Sequence, residues 1–333
     1  MKLKEIIKDI DIVKIYGNKN IEIKGVKYNS KYVDRGDIFV AIKGISFDGH
    51  NFINEAIKRG ASVVIHQTNK IYPEITGIIV PDTKRALAQI SDRIFGSPSA
   101  ELELIGITGT NGKTTISYLV KSVIETTGKK AGLLGTISYR IEDECINASL
   151  TTPESLEIHS FLDKIRKKNG KYAILEVSSH ALKQERTYGL RFKSAIFTNI
   201  SRDHLDYHPD MDDYINSKLK LFKQLKPKNS FAVINIDDQV SEKIIKVINS
   251  DYITYSITRK SDVYPANYNL SLDGISMNVK TLIGDIKINS KIPYFVTYFA
   301  VLSTSEVGRN ELILNLSKEI ENMKAEFCKI LNK

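Results

Sequence analysis

The residues best suited to chemistry lie in the run ELIGITGTNGKTTISYLV at Glu103–Val120. Its apolar start predicts a strand, its glycines predict a turn, and its periodic end predicts a helix. A turn that opens a helix can bind phosphate through backbone amides, and the helix dipole favours an anion there. The strict phosphate-loop spacing G-x-x-x-x-G-K-[ST] requires glycine at Ile107, whereas the sequence has Gly106 and Gly109. This offset changes the entry into the loop and leaves its phosphate-binding groups in place.

The loop supplies the groups that a nucleotide-phosphate site needs. Gly109 and Gly112 permit the backbone dihedral angles of the turn. Lys113 can reach the terminal phosphates, and Thr114 can ligate Mg²⁺. The alternative is a glycine-rich turn that contains Lys-Thr by chance, but strand and helix both lie where a phosphate loop requires them. The predicted phosphate contacts are Gly109, Thr110, Asn111, Gly112, Lys113, Thr114 and Thr115.

The composition predicts a globular protein of two domains. The chain has 333 residues, of which 42% are apolar and 26% charged, which excludes a disordered protein. Apolar stretches reach about ten residues, short of the ~20 that span a bilayer, and no signal-peptide pattern is present. Cys145 and Cys328 are too few for a disulfide framework or a zinc site, so we expect a cytoplasmic location. The net charge of +9 is spread along the chain, which favours small anionic substrates over nucleic acid.

Three segments with different patterns predict the domain organisation. Residues 1–97 contain β-branched runs and a helix that ends at Gly60, which predicts a small α/β N-terminal domain joined by the Gly/Ser/Pro-rich linker Phe95–Ala100. Residues 98–292 alternate strands with helices, which predicts a doubly wound, mostly parallel sheet. Residues 293–333 contain one apolar helical stripe, which predicts a packing helix. The stripe consists of Ile313, Leu316, Ile320, Met323, Phe327 and Ile330.

Two local predictions concern the central domain. The run TTPESLEIHSFLDKIRKKNG predicts a helix with Thr152 as its N-cap, Pro153 at its first position and Gly170 after its end. From about Asp251, short alternating runs predict an antiparallel edge or ribbon. The motifs all follow strand ends, where parallel sheets bind ligands. The predicted fold class is α/β, with a P-loop doubly wound, mostly parallel sheet preceded by a small α/β N-terminal domain.

Several motifs resemble one enzyme family. GITGTNGKTT is similar to the ATP loop of the Mur ligases, whose consensus GTNGKTT has the same offset glycine. The resemblance extends through Glu22–Lys291 and is closest to the MurE type, the UDP-N-acetylmuramoyl-tripeptide synthetases. The further motifs are TTPE (Thr151–Glu154), LEVSSHALKQER (Leu175–Arg186), TNISRDHLDYH (Thr198–His208), YINSKLKLF (Tyr214–Phe222) and NSKYVDRGDIFVAIKGISFDGHNFI (Asn29–Ile53), the last resembling a uridine-binding first domain.

The resemblance implies an ATP-dependent amide ligase of peptidoglycan precursor synthesis in the cytoplasm. ATP would phosphorylate the D-Glu γ-carboxylate of UDP-N-acetylmuramoyl-L-Ala-D-Glu. An amine of a third amino acid, diaminopimelate or lysine, would attack the acyl phosphate and release phosphate, with ADP already formed. Because two anions must meet in this reaction, positioning and positive charge dominate its catalysis.

The resemblance also implies two magnesium sites. Thr114 and Glu176 would hold one Mg²⁺, since a carboxylate is needed at the strand end facing the loop. His204 would bind the second metal. Lys218, which this family carries as a carbamate, would be a further metal ligand. The implied catalytic residues are thus Lys113, Glu176, His204 and Lys218. From the sequence alone, Glu176 is equally a strand-end charge paired with a base, His204 a hydrogen-bonded structural residue, and Lys218 a snorkelling surface lysine.

The substrate contacts are carried over from the same motifs. Ser30 would contact the uridine end of the substrate. Thr151, Thr152 and Ser178 would contact its sugar-peptide part. Arg186, with Gln184 nearby, would bind acidic groups, because the guanidinium fork suits a planar anion.

The resemblance weakens after Lys291. After its KIP position the family normally has a segment that contains glycine, phenylalanine and asparagine. Lys291–Asn310 lacks those asparagines and that glycine, and Glu319–Phe327 only faintly resembles the family's passage into its third domain. About one domain, ~150 residues, is therefore expected to be absent, and with it most contacts to the incoming amino acid.

Three functions are consistent with these observations. The first is a MurE-type ligase. The second is a non-catalytic or partner-dependent protein that binds ATP or UDP-muramoyl-dipeptide, with a separate chain supplying the missing domain. The third is a related ligase acting on another carboxylate, of the folate-glutamate or MurF type. The run EVSSHALKQER and the first domain argue against the third.

Overall fold

The computed structural model describes residues 1–44, 47–271 and 274–290. The chain divides into two compact units. The first contains Met1–Pro98, Pro153–Asp163 and Lys183–Gly189; the second contains Ser99–Thr152, Lys164–Leu182 and the described residues from Leu190 onward. The first unit thus includes two segments from the middle of the chain, which the linear division at residue 97 does not anticipate. The predicted helix within 293–333 lies outside the described residues.

The first unit is built on a five-stranded sheet in the order β1-β5-β4-β3-β2, parallel except for β1. Alternation along the strands sends Ile38 and Val40 to one face and Phe39 and Ala41 to the other. The elements are β1 (Lys14–Tyr16), β2 (Gly25–Lys27), β3 (Asp37–Val40), β4 (Val63–His66), β5 (Thr76–Ile79), α1 (Leu3–Ile6), α2 (Ile53–Arg59) and α3 (Thr83–Ile94). Helix α2 ends at Gly60 in the left-handed conformation, as predicted.

The second unit contains an eight-stranded sheet in the order β13-β12-β11-β6-β10-β7-β8-β9. Strands β13 to β7 of this order are parallel, and β8 and β9 are antiparallel. The strands are β6 (Glu103–Thr108), β7 (Ala131–Leu134), β8 (Ser138–Ile141), β9 (Glu144–Asn147), β10 (Tyr172–Glu176), β11 (Phe192–Phe197), β12 (Phe231–Asn235) and β13 (Asp251–Tyr255). The helices after α3 are α4 (Lys113–Thr126), α5 (Ser155–Lys167), α6 (Ser179–Lys183), α7 (Met211–Lys223) and α8 (Val240–Val247). The predicted α/β class is confirmed.

An antiparallel ribbon follows the central sheet. It consists of β14 (Tyr264–Ser271), β15 (Gly274–Thr281) and β16 (Gly284–Ser290). Buried Ile275, Met277 and Val279 of β15 share one hydrophobic core with α4 and the sheet. The predicted change to antiparallel pairing therefore occurs after β13 and not at Asp251, because β13 pairs in parallel with β12.

The start of α5 differs from the prediction. The helix begins at Ser155, and the amide of Ile158 donates to the carbonyl of Glu154. Thr152 is therefore not the N-cap, and Pro153 is not the first helical residue. The hydroxyl of Thr152 donates instead to the carbonyl of Glu176 at 2.7 Å. A long-range contact has thus displaced the local capping role.

Within residues 1–44, 47–271 and 274–290, no helix has both the length and the apolarity for crossing a bilayer.

His159 on α5 gives the first unit a predicted sensitivity to acid. Its ring is buried, its Nδ1 lies 3.6 Å from Asp92, and neither ring nitrogen has a hydrogen-bond partner in the described structure. Burial lowers the pKa of His159 to about 4. The unfolded state therefore binds a proton first as pH falls below about 6.5, and the fold loses up to ~1.4 kcal/mol per pH unit from this group.

We expect His159→Gln to reduce the loss of unfolding free energy between about pH 7 and about pH 5 by roughly 2 kcal/mol. Urea denaturation of both proteins at the two pH values measures this. An unchanged pH dependence in the variant would show that His159 does not carry the effect.

Candidate functional site

A glycine loop connects β6 to α4 at the centre of the parallel sheet. Gly109 has φ +148° and Gly112 has φ +85°, both in the range that favours glycine. A Cβ atom at Gly109 would lie 1.9 Å from the hydroxyl oxygen of Thr198. The loop therefore requires glycine at position 109 because the end of β11 approaches it closely.

The residues after β11 hold this loop in place. Asn199 accepts the amide of Thr110 at its carbonyl (2.8 Å) and the amide of Asn111 at its side-chain oxygen (3.0 Å). The hydroxyl of Thr198 donates to the carbonyl of Asn111 at 2.7 Å. Two amides predicted to bind phosphate are thus engaged within the protein. Thr198 and Asn199 were missed as site residues, although both begin the TNISRDHLDYH motif.

The amides at the start of α4 have a different status. Among the described residues, no acceptor is found for the amides of Lys113, Thr114 and Thr115. The first intrahelical bond runs from Ile116 to the carbonyl of Gly112 at 3.0 Å. Unpaired amides at a helix N-terminus attract anions. The phosphate-binding groups are therefore concentrated at residues 113–115.

Two lysines converge on one carbonyl of the loop. Lys113 Nζ donates to the carbonyls of Gly109 (3.0 Å) and Thr110 (2.8 Å). Lys218 Nζ, from α7, donates to the same carbonyl of Gly109 at 2.7 Å. Burial lowers the pKa of Lys113. The loop is thus lined by two amines on its inner side.

Lys218 is a buried residue, and only 3% of its surface is exposed. Burial lowers its pKa well below the ordinary lysine value, and the charge of Lys113 adds to this. Its Nζ also lies 4.6 Å from the centre of the Tyr214 ring. The snorkelling surface lysine is therefore the wrong interpretation.

Glu176 at the end of β10 lies directly beneath the start of α4, with no exposed surface. Its carboxylate accepts hydrogen bonds from the hydroxyls of Thr114 (2.9 Å), Ser117 (3.2 Å) and Thr136 (2.9 Å). Burial raises its pKa, and these donors oppose the rise. A Cβ at Gly135 would lie 2.2 Å from Glu176 Oε1, so the carboxylate fills space that only glycine leaves.

His204 is placed beside the same group of residues. It has a positive φ of 54°, and its partly exposed ring lies edge-on to His180 at 4.9 Å and to Tyr214 at 6.0 Å. Since Tyr214 also contacts Lys218, His204 and Lys218 lie beside one aromatic ring. The ring of Tyr214 thus has both predicted residues as neighbours.

His208 forms a Ser–His–Asp arrangement that the sequence analysis missed. Its Nδ1 lies 2.5 Å from Asp213 and its Nε2 3.0 Å from the hydroxyl of Ser179. Only 1% of Ser179 is exposed, so its hydroxyl is inaccessible to a substrate. The arrangement therefore connects α6 to α7 and does not supply a nucleophile.

The predicted sugar-peptide contacts lie next to Glu176. The hydroxyl of Thr152 accepts the amide of Ser178 at 3.0 Å, and that of Thr151 accepts from Thr136 at 3.1 Å. These residues therefore join Glu176 and Thr114 in one polar cluster of the second unit.

The predicted uridine contact lies in a cavity of the first unit. A cavity of about 540 Å³ is lined by Tyr28, Asn29, Ser30 and Phe47, among others. The hydroxyl of Ser30 donates to Glu55 at 2.9 Å. The lining of the cavity is mostly apolar and aromatic, with few polar groups, as is usual for a small-ligand pocket.

Gln184 and Arg186 also belong to the first unit. Arg186 Nη2 donates to the side-chain oxygen of Gln184 at 3.2 Å, and Arg186 Nε lies 2.7 Å from Glu154. The structure thus brings these two predicted residues together and adds Glu154 to them.

Gly109 is the loop position where substitution should cost most. We expect Gly109→Ala to lower the unfolding free energy by about 2–4 kcal/mol, from backbone strain and the contact with Thr198. Gly128→Ala is a matched control, because φ is +74° there and nothing lies within 4 Å of the added Cβ. The control should lose only about 1 kcal/mol. Equal losses in urea denaturation would contradict a close approach at Gly109.

Comparison with known families identifies this architecture. A profile for the Mur ligase middle domain matches residues 107–298, and one described as Mur ligase family, catalytic domain, matches residues 22–95. The chain belongs to the Mur ligase family. The resemblance inferred from the motifs is confirmed.

Curated Mur ligase relatives match the chain over most of its length. The chain is 43% identical over 88% of its length to the UDP-N-acetylmuramoyl-L-alanyl-D-glutamate–2,6-diaminopimelate ligase of Clostridium tetani, and this match covers 60% of that protein. It is 35% identical over 99% of its length to the ligase of the same name from Syntrophomonas wolfei, of which 69% is covered. The chain thus spans about three-fifths of the length of the first of these relatives.

A solved Mur ligase structure has the same fold. A structure of UDP-N-acetylmuramoyl-L-alanyl-D-glutamate–2,6-diaminopimelate ligase matches 96% of this chain and 66% of its own, with a TM-score of 0.81 and 26% identity. The MurF structure I from Acinetobacter baumannii matches 95% of this chain and 67% of its own, with a TM-score of 0.67 and 19% identity, which supports the fold alone.

Proposed function

We propose that the chain is an ATP-dependent amide ligase that adds diaminopimelate or lysine to UDP-N-acetylmuramoyl-L-Ala-D-Glu in the cytoplasm. The observation that carries this proposal is the buried carboxylate of Glu176, which accepts a hydrogen bond from the hydroxyl of Thr114 in the phosphate loop. Curated relatives at 35–43% identity are named as the diaminopimelate ligase. Lysine is retained as an acceptor because the described residues include no assigned contact to the amino acid.

The loop and α4 would bind ATP through Gly109, Gly112 and the amides of residues 113–115. Lys113 would leave the loop carbonyls and reach the terminal phosphates. Thr110 and Asn111 would shape the loop, since Asn199 already accepts their amides. Helix dipole and ammonium both favour the anionic tail there.

The donors beside the loop fit Mg²⁺. A hydroxyl from Thr114 and a carboxylate from Glu176 are hard oxygen ligands. No cluster of three or more His, Cys, Asp or Glu side chains suited to a metal occurs in the described part of the chain. Magnesium usually takes one or two carboxylates together with phosphate oxygens and water, so this donor set suffices. A bound Mg²⁺ would neutralise charge on the phosphates.

Lys218 would act as a carbamate beside His204, facing the second metal. An amine reacts with CO₂ only when it is neutral, and the burial of Lys218 favours that form. The reaction releases one proton and turns the neutral amine beside Lys113 into an anion. The carbamate would supply an oxygen ligand to the metal, which an ammonium group cannot do.

The remaining residues would orient the two substrates. Ser30 and its cavity would take the uridine end, Thr151, Thr152 and Ser178 the sugar-peptide part, and Gln184 and Arg186 an acidic group. The acid would then meet the γ-phosphate of ATP beside the Lys113 ammonium and the N-terminus of α4. Positioning of this kind, together with positive charge, supplies most of the catalysis in phosphoryl transfer.

The test is amino-acid-dependent ADP release. The pure chain is incubated with ATP, Mg²⁺, bicarbonate and UDP-muramoyl-dipeptide, with and without meso-diaminopimelate or L-lysine. ADP formation that requires one amino acid supports the ligase and identifies the acceptor. Saturable binding of the nucleotide-sugar without ADP formation would replace it by a binding protein. Activity that appears only when a separate C-terminal domain is added would indicate a partner-dependent enzyme.

A further inference from the structure

Glu154, the last residue of the TTPE motif, has no role in the function proposed above. Its Oε1 lies 2.7 Å from Arg186 Nε, and the two side chains are only 14% and 12% exposed. Arg186 Nη2 also donates to Gln184 at 3.2 Å. The guanidinium is therefore held by a carboxylate from the residue before α5 and by an amide from its own segment, all within the first unit.

The charges around Glu154 explain why the carboxylate is needed. Burial raises the pKa of Glu154, and the cations of Arg186 and Lys84 oppose this rise. Burial also lowers the pKa of Lys84, and the charge of Arg186 lowers it further. One carboxylate thus lies between two cations that repel each other. The carboxylate of Glu157 also interacts with Glu154 and Arg186 and offsets part of this positive charge.

Geometry limits what Glu154 itself can do. A carboxylate would repel an acidic substrate, so a direct contact with one is unfavourable. The guanidinium fork, by contrast, recognises carboxylate or phosphate only when its plane has a fixed orientation. Ion pairs with little exposure are rigid, and removing one partner leaves a costly unpaired charge. Glu154 is therefore suited to orient Arg186.

We propose that Glu154 is a positioning residue that holds the guanidinium of Arg186 in the orientation that binds an anionic group of UDP-muramoyl-dipeptide. The inference rests on the proposed function, because the substrate role of Arg186 belongs to that proposal.

Glu157, in the first turn of α5, provides a matched control. It lies one turn after Glu154 and is also partly buried, but it accepts a hydrogen bond from the hydroxyl of Tyr28 at 2.9 Å. An amide oxygen can accept the same bond, so Glu157→Gln keeps this contact. The control therefore removes a neighbouring carboxylate charge, which also acts on Arg186, and leaves the Glu154–Arg186 ion pair in place.

The experiment is a double-mutant cycle on ligand affinity. Calorimetry gives the dissociation constant of UDP-muramoyl-L-Ala-D-Glu for wild type, Glu154→Gln, Arg186→Gln, the double variant and Glu157→Gln. We expect Glu154→Gln to raise this constant at least about 10-fold and Glu157→Gln to change it less than about 2-fold. In the Arg186→Gln background, Glu154→Gln should cause no further loss, because its effect acts through Arg186.

The outcomes separate this inference from the proposed function. If wild type fails to bind the nucleotide-sugar, the proposed function is wrong and this inference is lost with it. If wild type binds and Glu154→Gln binds equally well, or if the two losses add, only the inference is overturned. Additive losses would show a structural role that is independent of Arg186. Should thermal melting show Glu154→Gln unfolded, Glu154→Asp replaces it, with a smaller expected loss that also vanishes in the Arg186→Gln background.

Discussion

Lys113→Ala is expected to raise the dissociation constant of Mg-ATP by at least about 100-fold and to abolish any ADP formation. Lys113 Nζ donates hydrogen bonds to the loop carbonyls of Gly109 and Thr110. The side chain is partly buried, and this burial lowers its pKa. A triphosphate bound at the start of α4 would therefore lose its nearest side-chain cation in the variant.

Lys121→Ala is the matched control for this loss. Lys121 lies on the same helix, two turns later, and its Nζ pairs with Glu125 at 2.6 Å. Its charge is thus already balanced away from the loop, and we expect its removal to leave Mg-ATP affinity within about 2-fold of wild type. Calorimetry measures both constants. If a folded Lys113→Ala protein binds Mg-ATP like the wild type, the phosphate-loop assignment is wrong.

The phosphate loop could be predicted from the sequence because its signals are contiguous. An apolar strand, positive-φ glycines and a periodic helix follow one another between Glu103 and Thr126, and each is a local property of the chain. The position of Glu176 followed from the same logic. Parallel strands end at one edge of the sheet, so the carboxylate after β10 had to face the loop after β6.

The rest of the site depends on contacts between distant segments. Asn199, which lies 88 residues after Asn111, accepts the amides of Thr110 and Asn111. Such a pairing has no local signal, so the engagement of these two loop amides within the protein was not predicted. The burial of Lys218 could not be predicted for a similar reason. Helical periodicity shows which residues share one face of α7, but it does not show which segment packs against that face. The contacts of His208 with Ser179 and Asp213 likewise became visible only in the folded structure.

Thr152 shows how a correct local rule can lose to a tertiary contact. A threonine followed by proline is a favourable helix start. The structure uses its hydroxyl to bond the carbonyl of Glu176 and the amide of Ser178 instead, and α5 starts at Ser155. The residue chosen as a cap is thus part of the polar cluster around Glu176.

Lys218→Gln is expected to remove a carbamate from the protein and to lower ADP formation by at least about 100-fold. In the structure, Lys218 Nζ contacts two buried groups: the carbonyl of Gly109 at 2.7 Å and the ring of Tyr214 at 4.6 Å. Two ammonium groups on one carbonyl, Lys113 and Lys218, repel each other, which favours a neutral amine at Lys218. A neutral buried amine can accept CO₂ and become an anionic oxygen donor.

Lys220→Gln tests whether this behaviour belongs to Lys218. Lys220 lies two residues along α7, and its Nζ donates to the carbonyl of Leu182 at 3.2 Å, where it is less buried. After exposure to ¹³C-bicarbonate, NMR should show a carbamate signal in wild type and in Lys220→Gln but none in Lys218→Gln. Depleting CO₂ should lower ADP formation only in the two proteins that carry the signal. A carbamate that persists in Lys218→Gln, or activity indifferent to CO₂ in the wild type, would mean that Lys218 acts as an amine and that the second metal lacks this ligand.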